Sequence, residues 1–189
     1  MISKYLSAFR ARLKTNRYLL GRKMDIIKIS KHYQVRQLDK NDLDAVFTLC
    51  SQNRLYYEYC PPMVTRESIS NDMKALPPKK DLSDKYYLGY FDGGKLIAVL
   101  DFIASYPNET TAFIGFFMVD ISAQNKGIGS AIIDELCLYL PEAGFTSLRL
   151  GWVKGNSQAE HFWHKNGFAE NGFSYDTDNY IVVVAQRDL

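Results

Sequence analysis

The sequence predicts an α/β (α+β) fold, a mixed and mostly antiparallel central sheet flanked by helices. Three observations predict it. Tyr86 to Phe91 and Lys95 to Ile103 are strand-like runs joined by Asp92-Gly93-Gly94, a hairpin signal, and a turn at Tyr106-Pro107-Asn108-Glu109 leads to a third run, Thr111 to Val119. That third strand is followed by an amphipathic helix and a further strand, a connection that pairs two strands in parallel through a crossover. Helical patterns precede this meander, and a valine-rich strand closes the chain. At 189 residues and 47% hydrophobic content, the chain suits one packed domain, taken as residues 25–189, behind a basic arm or helix in residues 1–24.

The elements follow in order. Tyr33 to Leu38 alternates Tyr33, Val35 and Gln37 against Gln34 and Arg36, a short half-buried strand. A helix then starts near Asn41 or Asp42, with Leu43, Val46, Phe47 and Cys50 on one face. Thr65-Arg-Glu-Ser resembles an N-terminal cap and opens a second helix, expected to run to Leu76, where Pro77-Pro78 stops it. Tyr56, Tyr57, Glu58, Tyr59 and Pro61-Pro62 between them read as an aromatic loop. Beyond the meander, Gly127 to Leu140 carries Ile128, Ile132, Leu136 and Leu140 at helical spacing and ends at Pro141 and Gly144. Ser147 to Val153 is a strand, Ser157 to Asn166 a helix closed by Gly167, and Tyr180 to Arg187 the last strand.

Charge is unevenly placed. Seven of the 23 basic residues, Lys4, Arg10, Arg12, Lys14, Arg17, Arg22 and Lys23, precede any acid, leaving 16 basic against 21 acidic groups in the rest. With Ile2, Tyr5, Leu6, Phe9 and Leu13 at helical spacing, the arm suits a membrane surface, nucleic acid, a transit peptide, a packed or solvated helix, or a segment ahead of an alternative start at Met24. The acidic remainder favours a cationic small-molecule acceptor and gives no reason to expect nucleic acid. No apolar run approaches the roughly 20 residues of a membrane span, so a soluble protein is expected. Cys50, Cys60 and Cys137 are odd in number and lack a CxxC spacing, which reads as reduced thiols in the cytoplasm. His161 and His164 share a helix face, but no Cys or carboxylate stands at a recognised ligand spacing, and no metal is expected.

Between the third strand and its helix lies Gln124-Asn125-Lys126-Gly127-Ile128-Gly129-Ser130. A helix N-terminus offers orphan N–H donors and a partial positive charge, and glycines let the backbone close on an anion, which suits a pyrophosphate. Lys126 adds a mobile charge and Ser130 a hydroxyl. A Walker loop is excluded by the absence of GxxxxGK[ST] spacing. A dinucleotide-binding fingerprint would want a small residue at Ile132, an early βαβ unit and an acid where the next strand offers Trp152. A kinase glycine loop fails because no catalytic-loop or metal-binding signature follows.

The remaining pattern resembles the GNAT superfamily of N-acetyltransferases, whose signature [QR]xxGx[GA] is matched by Gln124, Gly127 and Gly129. Asn156, Ala159, Gly167 and Phe168 fill the Asn-xx-Ala helix and Gly-Phe ending of that family in order, so the resemblance covers roughly residues 33–187. It implies that the strands holding Met118 and Leu150 are parallel neighbours that splay apart and leave a slot for the pantetheine arm of acetyl-CoA. It also implies that backbone groups of Met118 and Val119 bind that arm and polarise the thioester carbonyl, a contribution of about 3 kcal/mol for such donors. Asn156 would hold the arm from the other strand, cap its helix, or do both. Transfer would be direct, the amine attacking the acetyl group while both substrates are bound.

The chain departs from that pattern at two places. Trp163 stands where many relatives place a Tyr acid, and packing against the cofactor is its expected role. Gly115, Phe116 and Phe117 stand where some relatives place a basic Glu. Asp101, the one acid within Leu96 to Ile103, is the candidate base or ammonium anchor, against a strand-end residue satisfied by backbone donors. Glu109 reads as a turn residue, Asp176 and Asp178 as a solvated hairpin tip, and Tyr175 or Tyr139 as a substitute acid. The resemblance places acceptor contacts at Tyr56, Tyr57, Glu58 and Tyr59 with Tyr86 near, an aromatic set bearing one carboxylate that suits an organic cation or acts only as a lid. The acceptor expected is a small-molecule or peptide amine, and a homodimer is compatible with the sequence. A catalytically silent acyl-CoA sensor or interaction module is the alternative, and a nicotinamide-dependent oxidoreductase a third reading.

Overall fold

Seven strands among the described residues form one sheet: β1 (Gln34–Gln37), β2 (Lys85–Asp92), β3 (Lys95–Ile103), β4 (Thr111–Val119), β5 (Ser147–Val153), β6 (Ala169–Asp176) and β7 (Ile181–Asp188). Their spatial order is β1-β2-β3-β4-β5-β7-β6, and every neighbouring pair is antiparallel except β4 with β5. The computed structural model describes residues 24–177 and 179–189. The basic arm read in residues 1–23 and the acid Asp178 lie outside the described residues.

Helices cover both faces of this sheet. On one face, α4 (Ile128–Tyr139) and α5 (Ser157–Lys165) bury Ile132, Ile133, Leu136 and Trp163 against Leu100, Phe102, Ile114 and Leu150. On the other, α1 (Leu43–Ser51) and α3 (Arg66–Asp72) bury Val46, Leu49, Cys50 and Ile69 against Val99, Ile103, Tyr87 and Phe113. Alternation along β3 sends Leu100 and Phe102 to the first core and Val99 and Ile103 to the second, as a doubly covered strand requires. Residues 24–29 also pack on the first face, where Met24 N donates to the Tyr86 hydroxyl at 3.1 Å and Asp25 N to the Tyr139 hydroxyl at 2.8 Å.

The expected meander, crossover helix and parallel strand are all present, and three expectations change. The segment read as an aromatic loop is a short helix, α2 (Arg54–Tyr59), which turns Tyr57 into the second core. The second helix is capped as expected, Thr65 Oγ1 accepting from Ser68 N and Ser68 Oγ from Thr65 N at 3.0 Å each, but it ends at Asp72 rather than Leu76. Asn71 and Asp72 are poor helix formers, and the chain tightens there into three-residue turns, Lys74 N to Asn71 O and Ala75 N to Asp72 O, before reaching Pro77. Strand β6, implied only by the hairpin tip read at Asp176 and Asp178, shows no strand pattern of its own, because Ala-Glu-Asn-Gly-Phe-Ser-Tyr-Asp lacks β-branched residues. It is an edge strand, largely exposed, with its pairing to β7 interrupted between Glu170 and Ser174.

One charged pair is buried within the sheet. Lys85 Nζ donates to both carboxylate oxygens of Asp101 at 2.7 and 2.8 Å, and Asp101 is 0% exposed. Burial pushes the Asp101 carboxyl up to about 6, the attraction of Lys85 only partly opposing it. The carboxyl therefore binds its proton more tightly folded than unfolded, so the stability it confers falls as pH rises from the ordinary value of 3.8 through about 6. Lys85→Met should strand this carboxylate and cost about 3–5 kcal/mol at pH 7.5. Urea unfolding across pH checks this, with the deficit shrinking on acidification and smaller in Lys85→Met/Asp101→Leu.

Candidate active site

Strands β4 and β5 part company early. Their parallel pairing covers only Thr111 with Ser147, Ala112 with Leu148 and Phe113 with Arg149. Just beyond, β4 bulges at Gly115, since β3 pairs Phe102 with Ile114 and Asp101 with Phe116 and leaves the glycine unmatched. A cleft of about 490 Å³ opens between the separated strands. Phe117, Phe162 and Trp163 wall it on the α4–α5 face, and Tyr56, Phe116 and Tyr175 on the α1–α3 face, so it passes through the sheet.

The end of β4 presents free backbone to this cleft. Asp120 N donates to Ile97 O of β3 at 2.8 Å, so neighbouring Val119 directs its amide and carbonyl the other way, and Phe117 shares that orientation by alternation. The polar groups of Met118, one residue off, belong to the β3 ladder opposite Val99. Of the two residues expected to offer backbone donors, Val119 faces the slot and Met118 contributes its side-chain position.

The turn after β4 is braced from within. Asp120 accepts from Ser122 N at 2.9 Å, from the Ser122 hydroxyl, and from Lys95 Nζ at 3.3 Å. Burial works against its charge, but these donors outweigh it and hold the carboxyl below its ordinary range. Gln124 Nε2 donates to Asn53 Oδ1 at 2.5 Å and to Val119 O at 3.0 Å, while Asn53 Nδ2 donates to Leu49 O at 3.0 Å and Val119 O at 3.3 Å. The signature glutamine thus ties the turn to the junction of α1 and α2. Asn125 and Gly127 then take left-handed backbone, φ 59° and 79°, and the first turn of α4 lines the cleft at Gly129 and Ser130. A Cβ on Gly129 would sit 3.2 Å from the Phe162 ring and 3.4 Å from Val119, so the glycine keeps the helix start close to the aromatic wall.

Of the predicted cofactor residues, Met118, Val119, Gln124, Asn125, Gly127, Gly129, Ser130, Asn156 and Trp163 line the cleft. Lys126 and Ile128 do not: Lys126 Nζ turns back to Ser122 O at 2.8 Å, and Ile128 packs into the first core. Asn156 caps α5, its Oδ1 accepting from Ala159 N at 3.0 Å, and the residue lines the cleft. Trp163 is 7% exposed, its ring against Phe162, Phe168 and Phe117 at 4.9, 5.2 and 6.0 Å.

The predicted catalytic and acceptor residues are dispersed. Asp101 is engaged by Lys85 behind the cleft wall, Glu109 and Asp176 are exposed, and Tyr139 holds Asp25 N. Tyr56 and Tyr175 line the cleft. Tyr57 is buried against Cys50, Glu58 faces solvent, and Tyr86 holds Met24 on the other face. Burial pushes the phenol of Tyr56 well above its ordinary value. Residues that pattern reading did not assign to the site, Asn53, Cys60, Phe162 and His161, also line the cleft, Phe162 by lying one helical step from Trp163. Elsewhere, Glu160, His164 and Glu170 bring one ligand atom each within 4.8 Å of one another on the exposed surface.

The sequence model of the acetyltransferase (GNAT) family matches residues 52–168. No curated protein sequence matches the chain. Among solved structures, the chain is similar to an acetyltransferase from Thermus thermophilus, at 16% identity and a TM-score of 0.68, over 83% of this chain and 97% of that one. It is similar to the PaiA N-acetyltransferase of Thermoplasma acidophilum in complex with coenzyme A, at 17% identity and a TM-score of 0.60, over 83% and 99%. It is also similar to the ribosomal-protein-S18-alanine N-acetyltransferase of Escherichia coli, at 16% identity and a TM-score of 0.59, over 82% and 93%. At these identities the likeness speaks for the fold.

Gly127 tests the turn in isolation. A Cβ there would meet nothing within 4 Å, so Gly127→Ala carries backbone strain without a clash. The expected loss is about 1–2 kcal/mol in thermal or urea unfolding.

Proposed function

Because the chain belongs to the acetyltransferase (GNAT) family, we propose that its cleft binds acetyl-CoA and passes the acetyl group to a primary amine by direct attack with both substrates bound. The observation that carries this reading is the slot between β4 and β5, which ends on the N-terminus of α4. An acyl-CoA fits what the chain offers. The slot admits an extended arm beside unpaired strand backbone, and the left-handed Gly127 with the side-chain-free Gly129 gives a pyrophosphate access to the first-turn amides. Asn156, which lines the slot, would meet an arm carbonyl with its amide nitrogen, and Phe117, Phe162 and Trp163 would give the arm's apolar carbons a wall.

The co-substrate supplies an acetyl thioester. The Val119 amide, held by the β4 terminus and by the bonds on Val119 O, is the donor best placed to polarise that carbonyl, worth about 3 kcal/mol for a preorganised group. Holding the acceptor against it from the α1–α3 face makes the encounter effectively unimolecular. Asp101 is not retained as base, since both its oxygens are committed to Lys85. Residues 25–189 are read as one acetyltransferase domain, and three buried free cysteines suit a cytoplasmic location.

A second reading, a silent acyl-CoA sensor, draws on Trp163, whose indole supplies no proton of useful acidity where relatives carry Tyr. Thiol release from acetyl-CoA with a broad amine panel separates the two; tight CoA binding with no amine-dependent release supports the sensor. Gly129→Trp should fill the α4 approach to the cleft and weaken CoA binding at least about 100-fold by calorimetry while far-UV dichroism stays native. Unchanged affinity would remove the proposed pyrophosphate site.

A further inference from the structure

The half of the cleft on the α1–α3 face is built for an apolar body. Its wall comes from Tyr56 on α2, Cys60 just after it, Phe113 and Phe116 on β4, Tyr175 on β6 and Val182 on β7. Tyr56 and Phe116 meet edge to face at 5.6 Å, and Phe113 is braced the same way by Tyr106 at 5.6 Å. Tyr56, Cys60 and Tyr175 are the titratable groups on that half; its β4, β5 and β7 residues contribute none. Among the described residues, no Asp or Glu lines any part of the cleft. Of the neighbouring described acids, Asp101 is paired with Lys85, Asp72 is buried in a separate small cavity that Tyr56 and Phe116 also line, and Glu58 and Asp176 are exposed.

An ammonium drawn from water into such a wall finds no lining carboxylate among the described residues, and burying an unpaired charge is strongly unfavourable. Aromatic faces recover only a little of that through cation–π contact. A neutral amine on an apolar or aromatic body meets no such penalty and gains from burial. A polyamine or aminoglycoside would bring several uncompensated charges.

We propose that the acceptor is a primary amine on an apolar or aromatic body, bound and acetylated as the uncharged free base, and that polycationic amines are excluded. This rests on the acetyl-transfer reading above. The amine nitrogen forms the new C–N bond as the C–S bond breaks, and the one proton the nitrogen loses to water balances the one the departing sulfur takes up. The free amine fraction then sets the pH dependence. At pH 8 an alkyl amine with pKa near 10 is about 1% free base, so kcat/KM should climb about tenfold per pH unit up to the amine's own pKa.

The test uses the full chain, with CoA affinity measured first by calorimetry. Thiol release is then followed with 2-phenylethylamine, its less basic 2,2-difluoro analogue, spermidine and kanamycin. The expected result is a kcat/KM for 2-phenylethylamine at least about tenfold above either polycation, with a pH break that moves to lower pH for the difluoro amine. Phe116→Ala should raise KM for 2-phenylethylamine and leave CoA affinity unchanged; Phe116→Glu should shift preference toward spermidine. Preference of the wild type for spermidine or kanamycin, or a break at one fixed pH for both phenyl amines, would overturn the proposal and point to an enzyme base. CoA binding without release from any amine would overturn amine transfer itself, and with it this inference.

Discussion

The structure depends on the parting of β4 and β5 after Phe113. Three parallel pairs hold the two strands together, and then a crossover of one helix and a bulge at Gly115 let them diverge. Strand backbone without a partner is costly unless something meets it. Here part of the cost is offset from within, because Val119 O takes bonds from Gln124 and Asn53, and the amides of Val119 and Phe117 are left facing the opening. The same separation sets the path of the next segment. A chain leaving β4 at Val119 must turn at once to start α4 over the first face, and that turn brings the helix N-terminus to the mouth of the slot. Slot and glycine turn are therefore two consequences of one geometric event.

Much of this is legible in the residue pattern. The bounds of β4 and β5 follow from their composition, and the α4 helix from Ile128, Ile132 and Leu136, because strongly periodic segments declare themselves. Strand β6 is hidden because an exposed edge strand needs no apolar alternation, and Glu, Asn and Ser serve it as well as valine. Helix α2 is hidden for the opposite reason: six residues with three tyrosines carry no helical period, and the burial of Tyr57 and the cleft position of Tyr56 are tertiary facts. Side-chain destinations are the least legible. Tyr57 and Tyr86 look alike as aromatic residues near a cleft, yet one packs on Cys50 and the other holds Met24.

Asp101 shows how a sound local rule can miss a partner. An acid within an apolar strand is buried, and burial raises its pKa, both of which hold. What the pattern does not show is that Lys85, sixteen residues earlier, lies across the β2–β3 ladder and takes both oxygens. A lysine at the first position of a strand reads as solvated, and nothing local marks it as a partner. The pair is tied to the fold through register: it forms because Tyr87 pairs with Asp101, two residues along from Lys85, and a one-residue slip would turn the carboxylate to the other core.

Gln124 changes what its motif means. A signature residue beside a binding loop invites the reading that it touches the ligand. In this chain its amide is engaged by Asn53 and Val119, and both contacts stabilise the turn. Its chemistry explains the preference for a long side chain with a terminal donor: the donor must span from the turn to the carbonyl that ends β4. Asn53, which shares that carbonyl and reaches Leu49 O as well, joins the brace to the start of α2, the helix that carries Tyr56. The glutamine thus couples the glycine turn to the start of α2 through two hydrogen-bonded side chains. Its place is to keep Gly127 and Gly129 at the slot.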